Sequence, residues 1–430
     1  MFSTVSNIIK VVDLRKKIIF TLLMLIVFRI GSFIPVPNID SGALASMTER
    51  DFLGLLNTFS GGALQNFSIF AMGIMPYITA SIIVNLLAMD VIPKFAEWAR
   101  QGEAGRRKMS QVTRYGTIVL GFVQGIGFSI SFNNMYPGLV IAPSVTTYLV
   151  ITITLTAGTA FLMWLGEQIT EKGIGNGISI IIFAGIVAGF PDSLRAIFST
   201  ELTTAGDQLF LGIVKVIIIA IVVVLIVAGV IFVTQGVRRI PVNYAKRVVG
   251  RKMYGGQSSY IPFKVNSAGV IPVIFALSLL MFPATIAQFW AGRSVADWII
   301  QHFTYSDPVG ATFYVLLIIG FTYFYTFVQI NPEQMAENMK KNGGFIPGVR
   351  PGKATAKYIV RVLNRITLTG SLFLAAVAVL PIIFTAFTDL PQSVQIGGTS
   401  LLIVVGVALD TMKQVESQLI NRHYDGFIKK

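Results

Sequence analysis

The sequence contains no cysteine, only two histidines, and few charges: Asp, Glu, Lys and Arg make up 13% of its 430 residues. Without thiols there is no disulfide framework and no thiolate metal site, and cysteine usage says nothing about the redox compartment. His302 and His423 fall in a polar connection and in the carboxy-terminal tail. Zinc held by His and Cys, and a Ser/His triad at membrane depth, are excluded with them. Ionisable groups inside the long apolar runs are scarcer still. A pump or ion-coupled transporter keeps such groups at mid-depth for its task. Lys215 lies about 9 Å below the start of its run, and Arg29 within a turn or two of the outer end of the first. Both can snorkel to the interface along their own stems. Asp410 sits near the inner end of the last run, within reach of water.

What the chain has instead is apolar length. Hydrophobic residues make up 54% and mean hydropathy is +0.72, which places it among integral membrane proteins. Runs of about 17 to 25 residues, the length that crosses a hydrocarbon core of roughly 30 Å, occur ten times: 18–34, 67–89, 115–132, 148–165, 174–190, 209–233, 268–289, 313–330, 366–387 and 396–412. The first follows Lys10, Arg15, Lys16 and Lys17, is too long for a signal peptide's apolar core and has no small-residue cleavage site, so it reads as a retained span. Of the 34 Lys and Arg, only Arg50, Arg195 and Arg293 lie in connections on one side, apart from Arg29 and Lys215 within spans. The positive-inside rule then places both termini in the cytoplasm.

The most informative stretch is 59–85. It opens as a short piece broken by Gly61 and Gly62, then becomes a membrane-length run containing Gly73 and Pro76. Backbone groups freed by such a break are tolerated at membrane depth only beside protein or a water-filled cavity. Gly73-Ile-Met-Pro76 is echoed by Gly269-Val-Ile-Pro272 at the head of the seventh run. Interrupted segments at matching positions point to two halves of five spans, 1–200 and 201–430, related by an in-plane pseudo-twofold.

Two cytoplasmic connections, 234–267 and 331–365, are long and strongly basic. The first carries Arg238, Arg239, Lys246, Arg247, Arg251, Lys252 and Lys264 with no acidic residue, interleaved with Tyr244, Tyr254 and Tyr260, and reads as two short strands around 250–256. The second carries Lys340, Lys341, Arg350, Lys353, Lys357, Arg361 and Arg365 against Glu333 and Glu337. Such a surface suits ribosomal RNA phosphates or an acidic patch on a soluble protein. Residues 90–114 mix both signs, and the positive-inside rule accounts for them as well as docking does.

At mid-depth the spans carry aliphatic residues: Ile78, Ile82, Ile182, Ile186, Ile274, Ile403 and Val407. Such residues usually form core or lipid-facing surface. Arranged as a ring, they make a gate that closes by dewetting and fits loosely around many guests. Two glycine motifs carry no chemistry. In the PGKAT stretch, Pro347 replaces the upstream Gly of a phosphate loop and Ala354 the magnesium-binding hydroxyl; the glycines at Gly173, Gly175 and Gly177 open a span rather than follow a strand.

The motifs FSGGALQNFSIFAMGIMPYITASIIVNLL, GEQITEKGIGNGISIIIFAGI, RRIPVNYAKR, AGVIPVIFA, FIPGVRPGKATAKYI and GGTSLLIVVGVALD resemble, in order and over essentially the full length, the SecY family of bacterial protein-conducting channels. The resemblance implies an all-α membrane fold of ten helices in two inverted halves, closing like a clamshell around an hourglass pore. It implies a short plug helix at Phe59, Ser60, Gly61, Gly62, Ala63, Leu64, Gln65, Asn66 and Phe67, with the seven mid-depth aliphatic residues as the constriction. Spans two and three would face seven and eight across a lateral gate tuned by Asn85. The basic loops, through Arg239, Lys246, Arg247, Arg251, Lys252, Arg350 and Lys353, would dock a SecA-type motor ATPase or the ribosome, Arg350 above all. SecE and SecG subunits are the implied membrane partners, and no cofactor or catalytic residue is implied. On span ten, Gly406 and Ala408 thin the aliphatic face. Two other classes compete with this reading. A secondary transporter of a small apolar or amphipathic solute needs mid-depth ionisable groups, and a lipid-processing enzyme needs a nucleophile or metal set.

Overall fold

The computed structural model describes residues 11–40, 57, 60–88, 92–136, 138–199, 209–244, 247–249, 252–254, 258–287, 290, 293–304, 307–387 and 398–428. Each expected span has its helix: α1 (Val12–Gly31), α2 (Met75–Leu87), α4 (Glu103–Met135), α5 (Val145–Lys172), α6 (Gly177–Phe198), α7 (Leu209–Gln235), α8 (Ile271–Ala287), α10 (Pro308–Gln329), α12 (Lys353–Phe387) and α13 (Thr399–Ile428). Short helices α3 (Pro93–Arg100), α9 (Ser294–His302) and α11 (Pro332–Lys341) lie between them. The outer surface is as apolar as a core. In α7, the 18 most apolar residues between Gly212 and Gln235 are only 11% buried, and Phe210 and Phe232 stand out from it. A face of that kind is solvated by lipid rather than by water.

Several helices overrun the apolar runs that announced them. Helix α12 begins at Lys353, although 331–365 reads as a connection, and α4 begins at Glu103 rather than near 115. Charged residues mark where lipid ends, and a helix can continue past that level because water accepts its side chains. The second span is overestimated instead: it reads as 67–89, but helix starts only at Met75. With 13 residues, α2 is about 20 Å long at 1.5 Å per residue, too short to cross the hydrocarbon core alone.

The joint that shortens α2 recurs at α8. Gly73 takes φ +55° and Gly269 φ +65°, a left-handed turn that costs a residue with a Cβ roughly 1 to 2 kcal/mol. Pro76 and Pro272 then occupy the first turn of the helix that follows, where a missing N–H loses no bond. Both copies of the Gly-x-x-Pro signature therefore perform one structural task, as two pseudo-symmetric halves require.

Ahead of α2, residues 61–74 form successive turns held to the loop after α1. The Val36 amide donates to the Phe67 carbonyl at 3.0 Å, and the Ile69 amide to the Ile34 carbonyl at 3.0 Å. Phe70 lies between Phe28 of α1 and Phe161 of α5, its ring stacked with both at 6.2 and 6.0 Å. The backbone that α2 lacks is thus replaced by packed, hydrogen-bonded turns, as membrane depth demands.

At the opposite end of the bundle, the first basic connection is a hairpin. Strand β1 (Val237–Tyr244) pairs antiparallel with β4 (Ser258–Lys264), and β2 (Arg247–Val249) pairs with β3 (Lys252–Tyr254) further along the hairpin. The expectation of two strands flanking 250–256 is met with a second pair added. Strand β5 (Gly344–Phe345), from the second basic connection, joins the other edge of β1 through Asn243↔Phe345 and Tyr244↔Gly344. Ile240, Val242 and Phe263 of the sheet close over Met339 of α11, Ile346, and Ile359 and Leu363 of α12. Two connections far apart in sequence therefore form one small domain with its own core.

Candidate pore, plug and docking surface

All seven expected ring residues belong to a single buried cluster. Ile78 and Ile82 come from α2, Ile182 and Ile186 from α6, Ile274 from α8, and Ile403 and Val407 from α13. On α2, α6 and α13 the pairs are four residues apart, so each helix presents one face. A small cavity gathers Ile78, Ile182 and Ile274 with Ile74, Met75, Leu277, Met72, Gly73 and Ser60. Ile82 and Ile186 lie one turn further along their helices, and they, Ile403 and Val407 pack into the cluster without lining that cavity. Span ten is thin for a steric reason. A Cβ on Gly406 would lie 2.3 Å from Cγ1 of Val270, so this glycine makes room for the start of α8.

The expected plug divides between two cores. Ala63 is fully buried in the cluster that holds the ring residues. Leu64 and Phe67 enter a second cluster with Phe128 and Phe132 of α4 and Ile151 and Leu155 of α5. Phe67 meets the Phe132 ring edge-on at 5.4 Å. Gln65 and Asn66 point outward, and the Ser60 hydroxyl accepts from the Leu64 amide at 3.3 Å. The position of the short helix needs correcting. Asn57 and Ser60 are helical, whereas residues 61–67 are turns, because Gly61 (φ +69°), Gly62 (φ +83°) and Phe67 (φ +38°) leave the helical region. Phe59 lies outside the described residues.

Arg29 is the residue that sequence reasoning missed. Rather than snorkelling free, its Nη1 donates to the carbonyl of Gly61, and its guanidinium lies 4.6 Å from the Phe33 ring centroid. Nothing in the sequence signals this bond, since the acceptor is a backbone carbonyl.

Helix α8 packs against α2 and α4, the seam expected to open sideways. A second small cavity lies in that seam between Met72, Met75, Thr79, Gln124, Phe128, Ser278, Met281, Phe282 and Thr285. The Ser278 hydroxyl reaches Sδ of Met75 across it at 3.9 Å. Flexible thioethers and single hydroxyls make an adaptable lining. Asn85 is half-buried towards the far end of α2. On the other flank, Phe275 of α8 meets Phe321 and Tyr325 of α10 edge-on at 5.9 and 6.3 Å.

Among the expected docking residues, Arg239 is exposed on β1, Arg350 follows β5, and Lys353 is exposed at the start of α12. The Arg350 carbonyl accepts from the Thr355 hydroxyl at 2.9 Å, which fixes the turn that presents it. Arg247 and Lys252 occupy the short strands β2 and β3. Lys246 and Arg251 lie outside the described residues. Exposed Tyr244, Tyr260 and Phe345 stand on the same sheet as Arg239.

A helical bundle with a buried aliphatic cluster, a segment of turns packed against it and a basic soluble platform suits a membrane channel of the protein-conducting class. The chain belongs to the SecY family: the family model described as SecY matches residues 68–412. It is 66% identical over 430 residues to the protein translocase subunit SecY of Halalkalibacterium halodurans, covering 100% of both chains. Among solved structures it is similar in fold to a SecY whose plug domain stabilises the closed state of the translocation channel and maintains a membrane seal, with a TM-score of 0.60 and 20% identity over 94% of this chain and 92% of that one. It is also similar to Sec61 in the canine ribosome-channel complex from the endoplasmic reticulum, with a TM-score of 0.59 and 18% identity over 94% and 93%. The chain is a channel-forming subunit of a membrane protein translocase.

Proposed function

We propose that the cavity where Ser60 meets Ile78, Ile182 and Ile274 is the closed pore, with residues 60–67 as its plug and the seven aliphatic residues as its gasket. That juxtaposition carries the reading. An unfolded chain has no fixed shape, so its conduit cannot depend on specific hydrogen bonds. Aliphatic side chains repel water and ions while yielding to any guest, and the plug closes the funnel when no guest is present. A segment apolar enough to prefer lipid leaves through the seam between α8 and the pair α2 and α4, driven by the burial that inserts any span. Asn85, half-buried on α2, tunes that opening, since a polar group makes lipid contact costly.

Both termini face the cytoplasm in this reading, and the halves divide at about residue 200. The sheet and the start of α12 then project into the cytoplasm, where Arg239, Lys246, Arg247, Arg251, Lys252, Arg350 and Lys353 dock a SecA-type motor or ribosomal RNA phosphates. The ribosome-bound Sec61 neighbour supports the second partner. SecE and SecG complete the complex within the membrane. The pore itself is passive, and direction comes from the partner that pushes.

Protease protection of an unfolded secretory precursor tests this in vesicles holding the chain, its small subunits, a motor ATPase and ATP. ATP-dependent protection that vanishes when this chain is omitted is the expected result. No protection with a competent motor present, while a small solute still enters, would replace the reading with a transporter.

A further inference from the structure

The hydrogen bonds of the plug fall into two groups. Some are internal and would travel with it: the Gly62 amide to the Asn57 carbonyl at 2.9 Å, the Gln65 amide to Asn57 Oδ1 at 3.0 Å, and the Leu64 amide to the Ser60 hydroxyl. Others tie it to the channel wall. Among the described residues, Arg29 is the one span side chain that donates to residues 60–65, through Nη1 to the Gly61 carbonyl. It grips the plug where the backbone runs close to the wall. A Cβ on Gly61 would lie 3.1 Å from Cα of Gly185 on α6 and 3.3 Å from Phe28 on α1, so the plug backbone is seated between two spans at this residue.

We propose that Arg29 is a positioning residue that latches the plug shut; this rests on the plug reading above. Two features suit a guanidinium to the task. Its planar fork of N–H donors can reach a backbone carbonyl from a fixed stem. Its face lies against Phe33 of its own chain, which holds the fork in place whether or not the plug is seated. The acceptor is a neutral carbonyl. A charge-assisted bond to it is strong enough to bias the plug towards its seat, yet weaker than a carboxylate pair that would resist an arriving polypeptide.

The absence of native cysteine allows a clean reporter. Leu64→Cys places a thiol at a site that is 1% exposed while the plug is seated. In the full complex in sealed vesicles, its modification by a membrane-impermeant maleimide from the outer side reads plug release. Adding Arg29→Met, which keeps the stem and removes the donors, is expected to raise the labelling rate about tenfold, the scale of one lost charge-assisted hydrogen bond. Arg29→Lys, with a cationic donor on a similar stem, is expected to fall between. Labelling no faster in the Met variant than in its parent overturns the latch. Should the Met variant fail to assemble, Arg29→Gln, whose amide is too short to span the gap, takes its place: faster labelling than the parent supports the latch and an unchanged rate overturns it. Resting ion conductance separates the two readings: faster labelling with conductance at background keeps the latch and sinks the plug as a seal.

Discussion

The two Gly-x-x-Pro joints do the same thing to the backbone and receive opposite inserts. Before Gly73 comes the plug, whose Ala63, Leu64 and Phe67 are almost completely buried. Before Gly269 comes β4 of the basic platform, where Ser258, Ser259, Tyr260, Pro262 and Lys264 are exposed. A broken helix thus serves two purposes. On one side it follows chain packed into the bundle, and on the other it follows chain exposed on a sheet. The symmetry lies in the joint and the difference in the insert, so variants should divide the same way.

The largest expected effect is on the plug side. Ile82→Ser and Ile274→Ser each delete most of a buried aliphatic side chain, at a cost approaching the roughly 2 to 5 kcal/mol of Ile→Ala in a core, and add a hydroxyl that wets the constriction. Single-channel recording should give resting conductance well above background, and thermal unfolding should shift down. Docking through the platform should be unchanged. Background conductance in both variants would remove these residues from the seal.

On the platform side the reverse is expected. Arg350 and Arg239 are exposed, so Arg350→Glu and Arg239→Glu should leave thermal unfolding within about 0.5 kcal/mol of the parent, as surface changes usually do. Motor-driven export should fall severalfold and resting conductance should stay at background. The loss should be larger at low salt, since exposed charges are screened within a Debye length of about 8 Å at physiological ionic strength. Export unaffected by either reversal at low salt would place docking elsewhere.

Between these sits the test of the joint itself. Gly73→Ala and Gly269→Ala meet nothing closer than 3.7 and 3.6 Å, so their cost is conformational and should be similar, about 1 to 2 kcal/mol each. Thermal unfolding in detergent measures it. A large disparity between the two would mean that the joints are not equivalent.

How much of this was legible beforehand follows from which groups do the work. The spans were legible because hydrocarbon thickness fixes a length, and the Gly-x-x-Pro joints because positive φ and a first-turn proline each need a particular residue. The seven aliphatic residues were legible as one buried set, since aliphatic pairs four apart recur on α2, α6 and α13. Where backbone atoms are the partners, no residue type advertises the contact. The bond from Arg29 ends on the Gly61 carbonyl, and β5 joins β1 through main-chain pairing between two separate connections. Helix ends were misread for a related cause: a lysine signals water, not the end of a helix, and α12 runs through four basic positions, Lys353, Lys357, Arg361 and Arg365, before its apolar run.

The smallest expected effect comes from the polar ties between neighbouring spans, where the halves again differ. Arg114 of α4 meets Glu167 of α5 at 2.7 Å, while the Tyr323 hydroxyl of α10 donates to the Asn364 carbonyl of α12 at 3.1 Å. The ion pair is shorter, yet the Arg114 side chain is 48% exposed, so solvent screens it and the pair should contribute less than about 1 kcal/mol. A double-mutant cycle with Arg114→Ala and Glu167→Ala isolates that coupling. Tyr323→Phe removes one hydrogen bond of about 0.5 to 1.5 kcal/mol without changing the ring's packing. A coupling larger than the tyrosine effect would mean that the Arg114–Glu167 pair is shielded in the bilayer interface and that the amino-terminal half owes its cohesion to charge; the reverse order leaves apolar packing as what holds both halves together.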